Sequence, residues 1–278
     1  MPHYIDKALA QFEMTEAKPA ATPLPEGADL SEQGDGCVDS DFPMHALMGC
    51  LVLSVCRPDL SYSVSKLCAL QARPTRAHTS AAKHVLRYLK GSRDRGIVFS
   101  AVDFNTHDKA GNTFISFDMT GYADASWNEP HTHNRSTTGY VVFMGGGPVV
   151  WRSCKQSMVA DSSPEAELIA LHECTLQVRY VKNVLDDMID CGVMCGAARA
   201  YTDNSGALGI AANLTSVRKE KRHFDRRVWK VRNLVAGGVC SLFYVNTEDN
   251  VADALTKSLP TSRHRYLTDL MLPPFTHA

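Results

Sequence analysis

Two periodicities divide the chain. Up to about residue 100 the apolar positions recur at helical spacing; from about 115, runs of β-branched and aromatic residues alternate with longer helical stretches. Tyr4, Ile5, Leu9 and Phe12 share one face of a short helix that ends before Lys18-Pro19. From there to about Asp41 the chain is rich in Pro, Gly, Ala and acids and reads as a linker or mobile arm. His45 to Val55 is apolar, Arg57-Pro58-Asp59 marks a turn and a helix start, and Leu60, Val64, Leu67 and Leu70 keep helical spacing. Another helix spans Thr75 to Leu89, with Ala81, Val85 and Leu89 on one side and Lys83, Arg87 and Lys90 near the other, and stops at Gly91. That basic side suits either nucleic acid or plain solvation.

A polar, unpatterned interval at 100–116 reads as an insert or linker. Phe117 to Trp127 is then the first strand, and Gly139–Met144 with Pro148–Trp151 forms a hairpin turned by Gly145-Gly146-Gly147. A long helix opens at Ser163-Pro164, with Ser163 as N-cap and Pro164 at the first helical position. Its buried stripe is Leu168, Leu171, Thr175, Val178, Val181, Leu185 and Met188. There follow a strand (Ala198–Thr202), a helix (Ser205–Asn213), a basic helix over about Lys219–Ala236, a strand (Cys240–Val245) and a last helix from near Glu248. Three strands, helix, strand, two helices, strand, helix predicts an α/β fold, a mixed sheet with helices on its faces.

Length and composition change little. At 278 residues there is room for two domains. Lys plus Arg number 29 against 30 Asp plus Glu, so net charge excludes no partner and only its distribution informs. No apolar run reaches the roughly 18 residues that span a bilayer, so no membrane partner is expected. The first residues lack a basic flank and apolar core, so no secretory leader is expected either. The nine cysteines are dispersed and odd in number, which favours reduced thiols and an intracellular protein. Cys191 and Cys195 alone make no zinc site.

Four acids sit at the ends of these elements. They are Asp124 in Gly121-Tyr-Ala-Asp-Ala-Ser-Trp127, Glu167 in Glu165-Ala-Glu-Leu-Ile-Ala-Leu171, Asp203 in Tyr201-Thr-Asp-Asn-Ser205 and Asp253 in Asn250-Val-Ala-Asp-Ala254. Tyr122, Asp124 and Ser126 share one face of their strand. Asp203 ends a strand just before a helix, the edge where ligands of α/β sheets gather. Glu165 and Glu167 lie two residues apart, about 200° around a helix, so only one can turn into a shared site. Glu167 lies beside the apolar stripe, whereas Glu165, in the first turn, suits the helix dipole. Taken singly, each acid reads as a solvated strand end, a helix cap or a first-turn acid. Taken together they form a converging set that would repel itself without cations. Hard ions such as Mg²⁺ take one or two carboxylates each, with water and phosphate, and a close pair of them cleaves phosphodiesters.

Residues from about 119 to 260 resemble the ribonuclease H domain of a copia-type LTR retrotransposon Pol polyprotein. The matching stretches include those just quoted, with Arg135-Ser-Thr-Thr-Gly-Tyr140, Ser162-Ser-Pro-Glu-Ala-Glu167, Lys221-Arg-His-Phe-Asp225 and Asp249-Asn-Val-Ala-Asp-Ala-Leu-Thr-Lys257. Arg57-Pro-Asp-Leu-Ser-Tyr62 and Ala81-Ala-Lys-His-Val-Leu-Arg-Tyr-Leu-Lys-Gly91 resemble its reverse-transcriptase connection segment, and Tyr4 to Leu24 the stretch beyond the polymerase palm. The resemblance implies a ribonuclease H-like mixed five-stranded sheet flanked by helices, preceded by a small, mainly helical connection or thumb-like region. The expected divisions are 1–42 (polymerase-tail helix and linker), 43–100 (connection segment), 101–118 (linker), 119–262 (ribonuclease H domain) and 263–278 (C-terminal tail). It further implies endonucleolytic hydrolysis of the RNA strand of RNA–DNA hybrids during reverse transcription. Asp124, Glu167, Asp203 and Asp253 would hold two Mg²⁺ ions, with Mn²⁺ as a substitute. The order Asp–Glu–Asp–Asp differs from that of a similarly folded integrase, whose Glu follows the second Asp. A His carried by many relatives before the last helix is missing from Asn246 to Asn250. No Tyr-x-Asp-Asp polymerase motif occurs, so DNA synthesis is not expected, and the polymerase part of the same polyprotein becomes a partner. The implied location is cytoplasmic, in a retrotransposon particle, or nuclear. The alternative is a non-catalytic, hybrid-binding or structural remnant of such a reverse transcriptase.

Between Ser216 and Arg232, eight basic residues face only Glu220 and Asp225. Arg218, Lys219, Lys221, Arg222, Arg226, Arg227, Lys230 and the ambiguous His223 are candidate phosphate contacts, with Arg232 in the same run. Phe224, Val228 and Val231 read as the packed side.

Overall fold

The computed structural model describes residues 2–25, 28, 30–51, 55–99, 106–107, 113–127, 134–188, 193–195, 198–212 and 222–274, without the side chains of 106–107, 113–117, 193–195 and 222–225. The chain forms two units, one from most of 2–97 with 254–274, the other from most of 98–253.

The first unit is helical: α1 (Pro2–Gln11), α2 (Met44–Cys50), a 3₁₀ turn (Pro58–Leu60), α3 (Ser61–Leu70), α4 (Arg76–Gly91) and, from the far end of the chain, α8 (Thr261–Met271). Ile5, Leu9, Leu47, Leu60, Leu67, Val85 and Leu89 form its core. The α4 start is held by a capping box in which His78 takes the place usually given to Glu or Gln. Its Nδ1 accepts from the Thr75 amide at 3.1 Å, which leaves the ring proton on Nε2, 2.8 Å from the Ser31 carbonyl.

Three expectations need correction in this unit. The described part of the segment expected as a mobile arm is tied down, with Leu24 buried. The Ala20 amide donates to the Arg87 carbonyl, the Asp39 amide to Pro74, and the Arg76 amide to Cys37. The basic side of α4 performs part of this tethering: Arg87 Nε donates to the Lys18 carbonyl and Lys90 Nζ to that of Thr15, while Lys83 lies over the Phe42 ring. The expected C-terminal tail is instead α8, which buries His264, Leu267 and Met271.

One buried network joins the turn, α4 and α8. Arg57 is bidentate to Asp59 (2.9 and 2.7 Å) and donates to the Ser92 carbonyl and hydroxyl. The Tyr88 hydroxyl donates to Asp59 at 2.6 Å, and the His264 ring meets Tyr88 edge-on at 5.5 Å. Burial opposes ionisation of Asp59, but the paired Arg57 outweighs it and holds the carboxyl below its usual range. Burial dominates at His264 and lowers its pKa from 6.5 to about 4, against the attraction of Asp59.

The second unit contains β1 (Thr106–His107), β2 (Thr113–Phe117), β3 (Met119–Ser126), β4 (Thr137–Met144), β5 (Gly147–Lys155), α5 (Ser163–Asp186), β6 (Val193–Cys195), β7 (Ala198–Thr202), α6 (Ser205–Ala212), α7 (Arg222–Ala236) and β8 (Cys240–Tyr244). Its main sheet runs β5-β4-β3-β7-β8. β3, β4 and β5 pair antiparallel, and β7 and β8 continue parallel to β3. This is the mixed five-stranded sheet with flanking helices that the sequence leads one to expect. Gly145 and Gly146 turn the β4–β5 hairpin, each in the left-handed region (φ 58° and 76°) that a primed two-residue turn requires.

Here too the details differ. The interval expected as a linker carries β1 and β2, which form a small sheet with β6. The α5 N-cap is Ser162, one residue before the expected Ser163, and its side chain makes no capping bond. Met188, expected in the buried stripe, lies beyond the helix and is exposed. In place of a last helix near Glu248 there are two 3₁₀ turns, Thr247–Asp249 and Val251–Leu255.

Candidate metal centre

Asp124 stands near the end of β3, the middle strand, and is 2% exposed. The residues flanking it in the alternation, Gly121, Ala123 and Ala125, belong to the side packed by α5. Gly121 permits the close approach of that helix: a Cβ there would lie 2.7 Å from Cys174 Sγ and 3.2 Å from Val178 Cγ2. Trp127, just past the strand, donates from Nε1 to the Ala160 carbonyl (3.3 Å), tying the strand end to the segment that leads into α5. Gln156 bridges the same region, donating from Nε2 to Thr138 Oγ1 and to the Ala166 carbonyl, both at 3.0 Å.

The two helix acids separate as their angular spacing requires. Glu165 Oε2 accepts from the Asp161 amide at 3.0 Å, closing the chain ahead of the helix over its first turn. Glu167, 5% exposed, joins Asp124. At the end of β7, Asn204 serves as the α6 cap: its Oδ1 accepts from the Ala207 amide (2.9 Å), and its own amide donates to Thr202 Oγ1. Asp203, one residue earlier, is therefore not the cap. One ligand oxygen each from Asp124, Glu167 and Asp203 lies within 4.8 Å of the others.

Asp253 is not in that trio, although it is 1% exposed. Its backbone is steered by Asn250, whose carbonyl accepts from the Asp253 amide and whose side chain reaches β3 at Ala123. Of the proposed phosphate contacts, Arg218, Lys219 and Lys221 lie outside the described residues, and Arg222 and His223 belong to α7 with side chains outside the description. Arg226, Arg227 and Lys230 line an open cleft of about 340 Å³ with His172 and Leu176. Arg232 must be removed from the solvated basic face. It is buried and donates to the Ile210 and Ala211 carbonyls at the α6 C-terminus, where a cation complements the helix dipole.

The donor set fits a hard divalent cation: three carboxylates, two of them buried, in a space where like charges repel until a cation joins them. Sequence reasoning missed Trp127, Gln156, Asn204 and Asn250. Asn204 alone carried a local signal, an Asn immediately before a helical run.

No protein-family model matches the chain. It is 33% identical over 253 residues to the retrovirus-related Pol polyprotein from transposon RE2 of Arabidopsis thaliana, an alignment covering 90% of this chain and 16% of that protein. The corresponding protein from transposon RE1 of the same plant is 32% identical over 258 residues, 92% of this chain and 16% of the relative. A stretch of 130 residues, 47% of the chain, is 39% identical to secreted RxLR effector protein 161 of Plasmopara viticola and covers 83% of it. Among solved structures, LC11-RNase H1, isolated from compost, aligns with 51% of this chain and 92% of its own at 14% identity and a TM-score of 0.37. No helix among the described residues is long and apolar enough to cross a membrane. Over about nine-tenths of its length the chain is thus homologous to retrovirus-related Pol polyproteins of copia-type LTR retrotransposons, and it spans 16% of the length of the two plant relatives.

Proposed function

We propose that this chain is the ribonuclease H portion of such a polyprotein and hydrolyses the RNA strand of RNA–DNA hybrids by internal cleavage. The observation that carries this reading is the meeting of Asp124, Glu167 and Asp203, from a strand, a helix and a strand end, within 4.8 Å. They would hold Mg²⁺, or Mn²⁺ in its place, as a pair of ions with Asp253 as the fourth acid. When bound, such a pair supplies an activated water and stabilises the departing 3′ oxygen.

The chain's own groups hold and orient. Asp124 and Glu167 are buried on rigid elements that Gly121 lets pack closely, so their carboxylates are fixed before any substrate arrives. Asp203 is only half-buried, leaving the site open to solvent on one side. Arg226, Arg227 and Lys230, with Arg218, Lys219, Lys221, Arg222 and His223, are the proposed contacts to the hybrid backbone. Such contacts give affinity without sequence choice. Discrimination of RNA would come from A-like groove shape and the 2′-hydroxyl. The polymerase part of the same polyprotein is the proposed neighbour, and a cytoplasmic element particle or the nucleus the proposed place of action.

The test is incubation of a hybrid labelled on its RNA strand with Mg²⁺, comparing the chain with Asp203→Asn. Internal cuts in the RNA that fall at least about a hundredfold in the variant support the proposal, since even partners outside the ligand set are worth 10–100-fold at metal sites. Binding without cleavage by either protein would favour the non-catalytic remnant.

A further inference from the structure

Asn250 is fully buried, and every polar group of this residue is engaged around the proposed centre. Its Nδ2 donates to the Ala123 carbonyl at 3.0 Å, across 127 residues of sequence. Its Oδ1 accepts from the Ala252 amide (3.2 Å), its carbonyl accepts from the Asp253 amide (3.1 Å), and its own amide donates to the Thr247 carbonyl. Ala123 immediately precedes Asp124 and pairs with Thr202, the last residue of β7. The side-chain amide of Asn250 therefore takes up a β3 carbonyl where the ladder ends, and from that anchor folds the turn that carries Asp253.

We infer that Asn250 is a positioning residue: by pinning the Val251–Leu255 turn to β3 it sets where the Asp253 carboxylate stands relative to Asp124, Glu167 and Asp203. The inference rests on the metal-centre reading and deepens it. Asn250→Asp keeps the acceptor for Ala252 but sets a carboxylate oxygen against the Ala123 carbonyl in place of the donor; Asn250→Ser removes the same donor without adding charge, and serves as the second variant.

The experiment is calorimetric titration of the full chain with Mn²⁺ alone, without nucleic acid, in a double-mutant cycle. The proteins are the chain itself, Asn250→Asp, Asn250→Ser, Asp253→Asn and the two double variants. Expected is a loss of affinity of about tenfold on substituting Asn250, the scale for partners that orient metal ligands. In the Asp253→Asn background the same substitutions should cost less than about twofold, because the effect travels through Asp253. An equal loss in both backgrounds, or no loss in either, overturns the inference while the metal centre stands. If the unsubstituted chain takes up no Mn²⁺, the metal-centre reading itself fails, and this inference with it.

Discussion

At the corner between β7 and α6, two adjacent residues take the two roles that were alternatives for Asp203. Asn204 caps the helix, and Asp203 is left to join Asp124 and Glu167. Replacing Asn204 with Ala should therefore cost about 1 kcal/mol of stability, the usual worth of a cap, read as a lower urea midpoint. Asp203→Asn, which removes one of three mutually repelling carboxylates and no cap, should leave the metal-free midpoint unchanged or higher. At Gly121 a Val should destabilise by about 1–3 kcal/mol through overpacking against Cys174 and Val178. Unchanged thermal unfolding would show that α5 can retreat. The acids were legible in the sequence because strand alternation and helix angle are local rules: Glu165 and Glu167 sort themselves by rotation alone. Asn250 was not legible, because its partner at Ala123 lies on another element and nothing near residue 250 announces it.

Helical periodicity located α3, α4 and α5 well, and two-residue alternation located β7, since each buries a face whose repeat is written in its own residues. It failed at 247–255, where Val251, Ala252, Ala254 and Leu255 are all buried, so no polar side remains to reveal the tight turns. It also passed over α8, which exposes Tyr266 and Leu270, buries the polar His264 and Thr268, and meets the Arg57–Asp59–Tyr88 network through His264. Arg57→Leu should cost about 3–5 kcal/mol, because Asp59 is left buried without its cation, whereas the double replacement with Asp59→Leu should cost less. Equal losses for the single and the double variants would contradict that account. His264 adds a pH dependence. The unfolded chain takes up a proton near 6.5 that the folded chain refuses until about 4. Its contribution is thus fully present above 6.5 and declines as pH falls, by about 2 kcal/mol at pH 5 and about 3 kcal/mol at pH 4. Urea midpoints at pH 7.5 and 5 should differ less in His264→Gln than in the parent chain.

For the molecule as a whole, the outcome that sequence patterning left unseen is that residues 254–274 fold with the first unit rather than with the sheet. A chain that crosses between units leaves no periodic mark at the crossing. Removing residues 2–97 should therefore strip Leu267 and Met271 of their packing and give an aggregating product; a soluble, sharply unfolding remainder would contradict this. Hybrid affinity measured in EDTA should fall with salt, and replacing Arg226, Arg227 or Lys230 should each flatten the log–log slope by about one unit. The central claim is that the carboxylates of Asp124, Glu167 and Asp203 hold divalent metal. Anomalous diffraction from a crystal grown with Mn²⁺ tests it most directly. A peak coordinated by all three carboxylates is the predicted result; a clean map there, with Mn²⁺ ordered elsewhere in the same crystal, would contradict it.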